Sequence, residues 1–591
     1  MRGLAAIFGR SVAPAADTVE RMLAASPHRG DRTAVTSLGG CTLGVSDLQG
    51  RGEATLASDE SLAVAFAGAL DNAGELAARL GAPLDQPPSP AEVVLAAFRA
   101  RGTAAPADLR GTYACVVTDG ARLWAFRDHG GQETLFYRSE PEAVFVASEV
   151  KQVLRGADVS PEPDLATVEA LFYGELEEAT ACALRGASRL VAATLLTADR
   201  ESLTVTPYWD PAALLESATL SQAEATERFC ELFGQAISRV LTGRDAISLS
   251  GGVDSPPIAA YANRIYEERW NRPIPALSAV YPSYPESDES GYIELVAERL
   301  GLPLHAYEPG PQRLDRLQFW LKLFDGPWST WSPEGTAERC THAQAQGFTT
   351  LLSGEFAEQV SAIRAHLVPH LLWRGHLRGA ARQLRSQYAA GLGKRHLLAE
   401  VREAVTPRVV QARQFRRFPP AFLPPWIDLG RIGRRDGGHA LPARRRWITG
   451  QLPFFGADPV GEADIYSHAL YGIRARRPWA DVDVWEFFLS LPAELKFPDY
   501  RMKGFARTAF RGDVPDEILD RRDKTYMDRW FEEMGVDYPA VRHWISRDTF
   551  RMPGVDYTAL EAELRQEHMP LAHYLWARDL ATAHAFVDLW S

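Results

Sequence analysis

The run Ser250-Gly251-Gly252-Val253-Asp254-Ser255 has the composition to hold a pyrophosphate. It follows the alternating apolar segment 245–249 and precedes a helix-like stretch at 258–266, so it reads as a strand, a tight turn and a helix N-terminus. Adjacent glycines let backbone N–H groups close around an anion. The hydroxyls of Ser250 and Ser255 add donors, and the helix start adds partial positive charge. An aspartate inside such a cradle repels phosphate unless a divalent cation comes with it, which makes Asp254 a candidate Mg²⁺ ligand rather than a phosphate contact. The alternative reading is an ordinary Gly-Gly turn with a Ser/Asp cap. The spacing matches neither the G-x-x-x-x-G-K-[ST] loop nor the dinucleotide G-x-G-x-x-G.

The elements that must position this loop fall into two regions. Residues 1 to about 210 hold many short apolar runs separated by Gly, Asp and Pro, which is the pattern of strands, with helices at 91–101 and 165–173. After Tyr208-Trp209-Asp210-Pro211 a longer helical period begins at 221–241, which places a domain boundary near 210. Strand-like runs at 274–280 and 349–352 then alternate with helical segments. This predicts a parallel sheet with helices on both faces and a ligand at the carboxyl ends of its strands. Between Arg364 and Arg446 lie 18 basic residues against 4 acidic ones. The stretch reads equally as a solvated helical insertion and as a face that attracts an anionic or extended substrate.

A chain of 591 residues, 46% apolar, has room for two to four domains. It lacks the roughly 18 to 20 uninterrupted apolar residues of a bilayer span, and its first ten residues carry too short an apolar run for a secretory signal. A cytoplasmic, soluble protein without a membrane partner is the expectation. The net charge of −12 argues against nucleic acid as a partner. Cys41, Cys115, Cys182, Cys230 and Cys340 are scattered singly, which implies neither a disulfide framework nor a zinc site.

An ordered series of strings runs through both regions. The first holds His28-Arg29-Gly30, Gly68 with Asp71-Asn72, Leu109-Arg110-Gly111, Arg127-Asp128 with Leu135 and Tyr137, and Ala147-Ser148-Glu149 with Lys151. The second holds the Ser250–Ser255 loop, Asp288-Glu289, Ser353-Gly354-Glu355, Arg477-Pro478-Trp479 with Asp481, and Arg521-Arg522-Asp523-Lys524. In this series the chain resembles the asparagine synthetase superfamily. The resemblance implies an N-terminal class-II glutaminase-like (Ntn-type) β-sandwich with helices over 1–210. It also implies, over 211–591, an ATP-pyrophosphatase-like doubly wound parallel sheet with a helical C-terminal region and a basic helical insertion at about 364–446.

The same resemblance assigns ATP and Mg²⁺ as cofactors and an adenylation that releases pyrophosphate. Ser250, Gly251, Gly252, Asp254, Ser255, Ser353 and Gly354 would bind the nucleotide, with Asp254 and Glu358 on the metal. Glu355 would stand beside the reacting carbonyl, where it accepts or orients the amine's proton, and Lys524 would contact pyrophosphate and the developing tetrahedral centre. Lys503 is a weaker candidate phosphate contact, read as structural. Three departures stand in the second half: Phe356 replaces a glycine, Gln359 a carboxylate, and Pro256-Pro257 a small polar pair. Proline suits a first helical turn, so the cradle survives.

The first half departs where the family does its chemistry. Arg2 occupies the position of the nucleophilic cysteine and is no nucleophile. Ala67-Gly68-Ala69 replaces Asn-Gly-Glu, and Pro90 stands where an acidic residue is expected. Glutaminase activity is therefore expected to be absent, with the domain kept as a scaffold. Members with a silent first domain include lasso-peptide cyclases, which join a peptide's own α-amine to an Asp or Glu side chain, and β-lactam synthetases. The chain length and basic insertion favour the cyclase, with a ribosomal precursor peptide as substrate and a protease as partner. A β-lactam synthetase-like or other small-molecule amide synthetase, for which the sequence assigns no Tyr–Glu dyad and leaves Tyr261 and Tyr281 open, an ammonia-using asparagine synthetase, and a degenerate nucleotide- or partner-binding scaffold are the alternatives.

Overall fold

The computed structural model describes residues 2–11, 14–48, 54–81, 88–174, 176, 178–327, 333–358, 366–389, 391–403, 422–432, 459–498, 501–521, 525–547, 549–566 and 568–591. Its first region is built from two antiparallel six-stranded sheets. One runs in the spatial order Ser188–Arg189, Phe136–Ser139, Ala143–Ala147, Arg2–Gly9, Cys41–Asp47, Arg32–Leu38. The other runs Leu203–Pro207, Thr194–Ala198, Leu123–Arg127, Gly111–Thr118, Ala63–Leu70, Ala54–Ser58. Strand alternation makes these four layers. Leu4, Ala6 and Phe8 point inward onto Ala65, Ala67, Ala114 and Val116 of the facing sheet. On the outer faces, Ala5 and Ile7 pack against Val19, Met22 and Leu23 of the helix Ala16–Ala24, and Val64 and Phe66 against Val93, Val94 and Phe98 of the helix Pro90–Arg101.

After the strand that ends at Pro207, the helix Gln222–Val240 starts with a reciprocal cap. Ser221 Oγ accepts from the Glu224 N–H, and Glu224 Oε2 accepts from the Ser221 N–H at 2.8 Å. The second sheet-forming region is wholly parallel among the described residues. Its five strands lie in the order Leu304–Tyr307, Ala276–Ala279, Asp245–Ser248, Thr350–Leu352, Arg474–Arg476. In chain order this is 3-2-1-4-5, so the winding reverses between the first and fourth strands. Ile247, Leu249, Ala276 and Leu352 face Phe229, Phe233 and Ile258 on one side. Ala246, Leu277 and Leu351 face Cys340 and Ala343 of the helix Pro333–Ala345 on the other. Of the basic span 364–446, residues 366–389, 391–403 and 422–432 are described, with helices Leu367–Trp373, Leu377–Ala389 and Lys394–Glu403. The remainder of that insertion lies outside the described residues.

The two halves share one core. Phe172 of the first packs edge-on against Trp576 of the helix Leu571–Trp590 with ring centres 5.3 Å apart, and the Tyr173 hydroxyl donates to the Pro553 carbonyl. Ion pairs cross the same boundary: Arg110 to Asp483, Arg239 to Glu75, Arg189 to Glu462, and Arg476 to Asp71. The last pair is almost wholly buried, with side chains 4% and 9% exposed. Removing one partner of such a pair leaves an uncompensated buried charge, which costs about 3–5 kcal/mol. Asp71→Ala is therefore expected to lower the denaturant midpoint strongly, whereas Arg99→Ala, on a half-exposed pair with Asp59, shifts it little.

Candidate active site

The cradle sits where the sheet's winding reverses. Strand Asp245–Ser248 ends in the glycine loop and leads into the helix Ser255–Trp270, whose first turn contains both Pro256 and Pro257. The lost N–H groups are ones that a first turn leaves unpaired, so the helix starts without a break. The loop is pinned from several sides. The Ser250 N–H donates to Ser255 Oγ at 2.9 Å, and the Gly251 N–H donates to Glu289 Oε2 at 3.0 Å. The Gly251 carbonyl accepts from Arg521 Nη1 at 2.8 Å, and Trp479 Nε1 donates to the Asp254 carbonyl at 3.0 Å. Arg521 also pairs with Glu289 and lies 4.1 Å over the Tyr292 ring.

Strand Thr350–Leu352 lies beside it and ends in Ser353-Gly354-Glu355. A Cβ on Gly354 would stand 2.7 Å from Asp254 Cβ and 2.9 Å from the Ser255 nitrogen, so the turn needs glycine to lie against the cradle. The sequence-predicted residues Ser250, Gly251, Gly252, Asp254, Ser255, Ser353 and Gly354 are thus brought into one crevice. Ser353 Oγ and Asp254 Oδ1 are buried there with no hydrogen-bond partner among the described residues. Burial pushes the Asp254 carboxyl up from its ordinary value, and Lys503 opposes the rise.

Lys503 belongs to this site, against its reading as structural. Its ammonium is 2.6 Å from Asp254 Oδ2 and 3.6 Å from Glu358 Oε1, and its backbone is left-handed at φ +61°. Both proposed metal carboxylates therefore surround one cation. Two carboxylates, with phosphate and water oxygens completing the shell, are a donor set that fits Mg²⁺, and the unpartnered Asp254 Oδ1 is available to it. The flexible Lys-Gly context gave no periodic signal for this role; only its distance in space does.

Glu355, 40% exposed, is held by Arg477 Nε, and Arg477 Nη2 reaches Asp464. Asp464 also takes a contact from His468 and lies 3.9 Å from Arg339. Asp464 and His468 share the helix Pro459–Leu470, four residues apart, so they meet on one face. Burial alone would lower His468, yet Asp464 and Cys340 together raise it to about 10. Phe356 keeps the left-handed backbone that a glycine would take, φ +70°, with its ring 5.8 Å from Trp485. Sequence reasoning missed Arg477, Asp464 and His468 as site residues. Lys524 and Gln359 lie outside the described residues. Tyr281 is packed on Trp530, with burial raising its hydroxyl to about 12. Tyr261 sits among Phe233 and Phe510 in the helical core, away from the crevice.

In the first half, Arg2 is buried and bonded to Glu133. Arg29 donates to the Arg2 carbonyl at 3.1 Å, to Thr134 and to Glu149. Glu149 further accepts from Ser26, His28 and Lys151. Burial would raise this carboxyl, but His28, Lys151 and Arg29 hold it well below the usual range. A packed ionic cluster fills the ground where a nucleophile would stand.

The family described as Asparagine synthase matches residues 229–591, and the one described as Glutamine amidotransferase domain matches residues 1–209. The chain is 24% identical over 439 residues to Asparagine synthetase [glutamine-hydrolyzing] 3 of Bacillus subtilis, covering 71% of this chain and 67% of that protein. It is 24% identical over 537 residues to Amidase chyE of Penicillium rubens, covering 80% and 78%. Among solved structures, the glutamine phosphoribosylpyrophosphate amidotransferase of B. subtilis complexed with ADP and GMP aligns at 13% identity and a TM-score of 0.27, over 60% of this chain and 81% of that one.

The Asp464–His468 pair has a pH signature. His468 binds its proton more tightly folded, near 10, than at its ordinary 6.5, so its contribution to stability is complete below 6.5 and is lost as pH rises through 10. Urea midpoints of wild type and His468→Gln are expected to differ most at pH 6 and to converge by pH 10; parallel curves would show that the pair is not ionised.

Proposed function

We infer the reaction from one premise: the chain belongs to the asparagine synthase family, whose activity is ATP-dependent amidation. We propose that it activates a carboxylate as an acyl-adenylate, with release of pyrophosphate, and joins the acyl group to an amine. The observation that carries this reading is the contact of Gly354 with Asp254, which sets the Glu355 turn against the anion cradle so that activation and amine transfer share one crevice.

The residues divide the work as follows. The N–H groups and serines of the glycine loop orient the phosphates, and Lys503 supplies a fixed positive charge beside them. Asp254 and Glu358 would hold Mg²⁺, which when bound draws negative charge from the phosphate oxygens. A carboxylate oxygen attacks the α-phosphorus and pyrophosphate leaves. The amine nitrogen then attacks the acyl carbon, AMP leaves, and Glu355 takes up the amine's proton. Lys524 is retained as the proposed partner of pyrophosphate and the tetrahedral centre.

The nitrogen donor is proposed to be a supplied amine, not glutamine-derived ammonia, because Arg2 and its ionic cluster replace a nucleophile in the first domain. We propose macrolactam closure on a ribosomal precursor peptide, in natural-product biosynthesis and in the cytoplasm, as the finer assignment. The basic span at 364–446 supports it by offering charge for an extended acidic substrate.

Two outcomes are expected. Asp254→Asn lowers pyrophosphate release from ATP and a carboxylate at least about 100-fold, while the melting temperature stays close to wild type. Unchanged turnover would remove Asp254 from the site. Glutamate release from glutamine is expected to be absent in wild type and still absent in Arg2→Cys, because the new thiol would sit among Glu133, Arg29 and Glu149, which stay paired with one another; hydrolysis by either protein would reverse the scaffold reading.

A further inference from the structure

We propose that the helix Leu377–Ala389 is a docking element for an acidic amphipathic helix of a partner protein. Its residues sort into three faces. Leu377, Ala381, Leu384 and Tyr388 fall within about 60° of one another around the helix axis, and Arg378, Arg382 and Arg385 form a parallel row about 100° further round. Gly379, Ala380, Gln383 and Gln387 are buried against the body of the protein. The side-chain amides of Gln383 and Gln387 donate to the Phe497 carbonyl and to Glu400.

The first two rows are open. Leu377 is 65% exposed and Tyr388 60%, and all three arginines are exposed. Residues 366–389 contain no Asp or Glu. The carboxylates that approach from packed elements are engaged by other groups: Glu216 by His370 and Arg374, Glu494 by His376, and Glu400 by Gln387. Among the described residues, Arg378, Arg382 and Arg385 therefore have no ion-pair partner. Single exposed leucines are ordinary on a protein surface. An apolar row about 16 Å long beside an unmatched row of arginines is the pattern of an interface.

The pairing of the two rows selects the occupant. A second copy of this helix would set arginine against arginine, so like charges oppose self-association here. A bilayer suits a helix whose apolar face has cations along both flanks, whereas here one flank is arginine and the other is packed on the protein. Nucleic acid would meet the arginines and leave Leu377 and Tyr388 in water. An extended chain drawn to the basic span would use its charge alone. A partner helix with carboxylates at i, i+4 and i+7 and leucine-like side chains in the adjoining row satisfies both rows at once. The docking helix is anchored on Phe497, Glu400 and Glu494, not on the glycine loop or the turn at Glu355, so recognition here is separate from the reacting groups.

Binding to full-length protein without nucleotide is measured by fluorescence anisotropy of a labelled peptide of about 18 residues, long enough to be helical, with leucines at i, i+4, i+7 and i+11 and glutamates in the adjoining row. Saturable binding that weakens with salt is expected. Two variants are compared, Arg378→Glu with Arg382→Glu and Arg385→Glu, and Leu377→Ser with Tyr388→Ser. Each is expected to weaken binding about tenfold or more, with the melting temperature unchanged because every altered side chain is exposed. The same peptide with lysine for glutamate is expected to bind the arginine variant better than the wild type, which a damaged fold would not produce. Absence of saturable binding to the wild type overturns the proposal, as does equal affinity for the glutamate and lysine peptides or an affinity that both variants retain. Vesicles of phosphatidylcholine and phosphatidylserine are the last arm: co-sedimentation of wild type that both variants lose would assign the face to a bilayer and overturn the partner helix.

Discussion

A side chain on Gly354 would place its Cβ 2.7 Å from Asp254 Cβ, inside the roughly 3.5–4.0 Å at which carbon atoms pack. That approach is the constraint from which the site follows. The glycine loop after the first parallel strand and the Ser-Gly-Glu turn after the fourth are neighbours because the winding reverses between those strands. Asp254 is fixed there by its carbonyl on Trp479 and its carboxylate on Lys503. The glycine loop and Glu355 thus derive their spacing from backbone packing, and no flexible side chain sets it.

Electrostatics then tune what packing has placed. His468 charges because Asp464 is beside it, Asp464 orients Arg477, and Arg477 holds Glu355. Each link is a fixed geometry on a helix or at a strand end, so the chain of charges costs little reorganisation. Phe356 takes part through strain. A left-handed backbone at a bulky residue costs about 1–2 kcal/mol, and its ring recovers contact with Trp485 and with the Arg477 guanidinium, 5.9 Å away.

Much of this was legible in the sequence, for physical reasons. The helix read at 165–173 is Leu165–Tyr173, and the strand read at 245–249 is Asp245–Ser248, because periodicity reports burial directly. The helix read at 258–266 starts earlier, at Ser255, since prolines in a first turn begin a helix and do not end it. The loop and turn residues were legible because neighbouring side chains and backbone come too close for a Cβ at Gly251 and Gly354. Asp464, His468 and Arg477 were not, and Lys503 was read only as a weaker phosphate contact, because a charged residue acquires its meaning from partners far along the chain. Lys503 and Asp254 are 249 positions apart. No local pattern records that distance.

The same reasoning explains why a first domain without a nucleophile is kept. Lys151 lies between Glu149 of its own domain and Asp325 of the other, and Arg29 and Lys151 both face the ring of Tyr466. Burial pushes the Asp325 carboxyl up to about 6 even with Lys151 opposing it; without the domain this group would be neutral or would take on water. The apolar core is likewise shared, with Ile7, Val153 and Phe172 in one cluster with Leu580 and Phe586 of the C-terminal helix. Deleting the domain would expose that helix, take Arg110 from Asp483 and Asp71 from Arg476, and remove the neighbours that hold Tyr466 beside the Asp464–His468 helix turn. Arg2 closes the same cluster from the first strand. The residue proposed to exclude glutamine hydrolysis is therefore also part of the packing that joins the two halves.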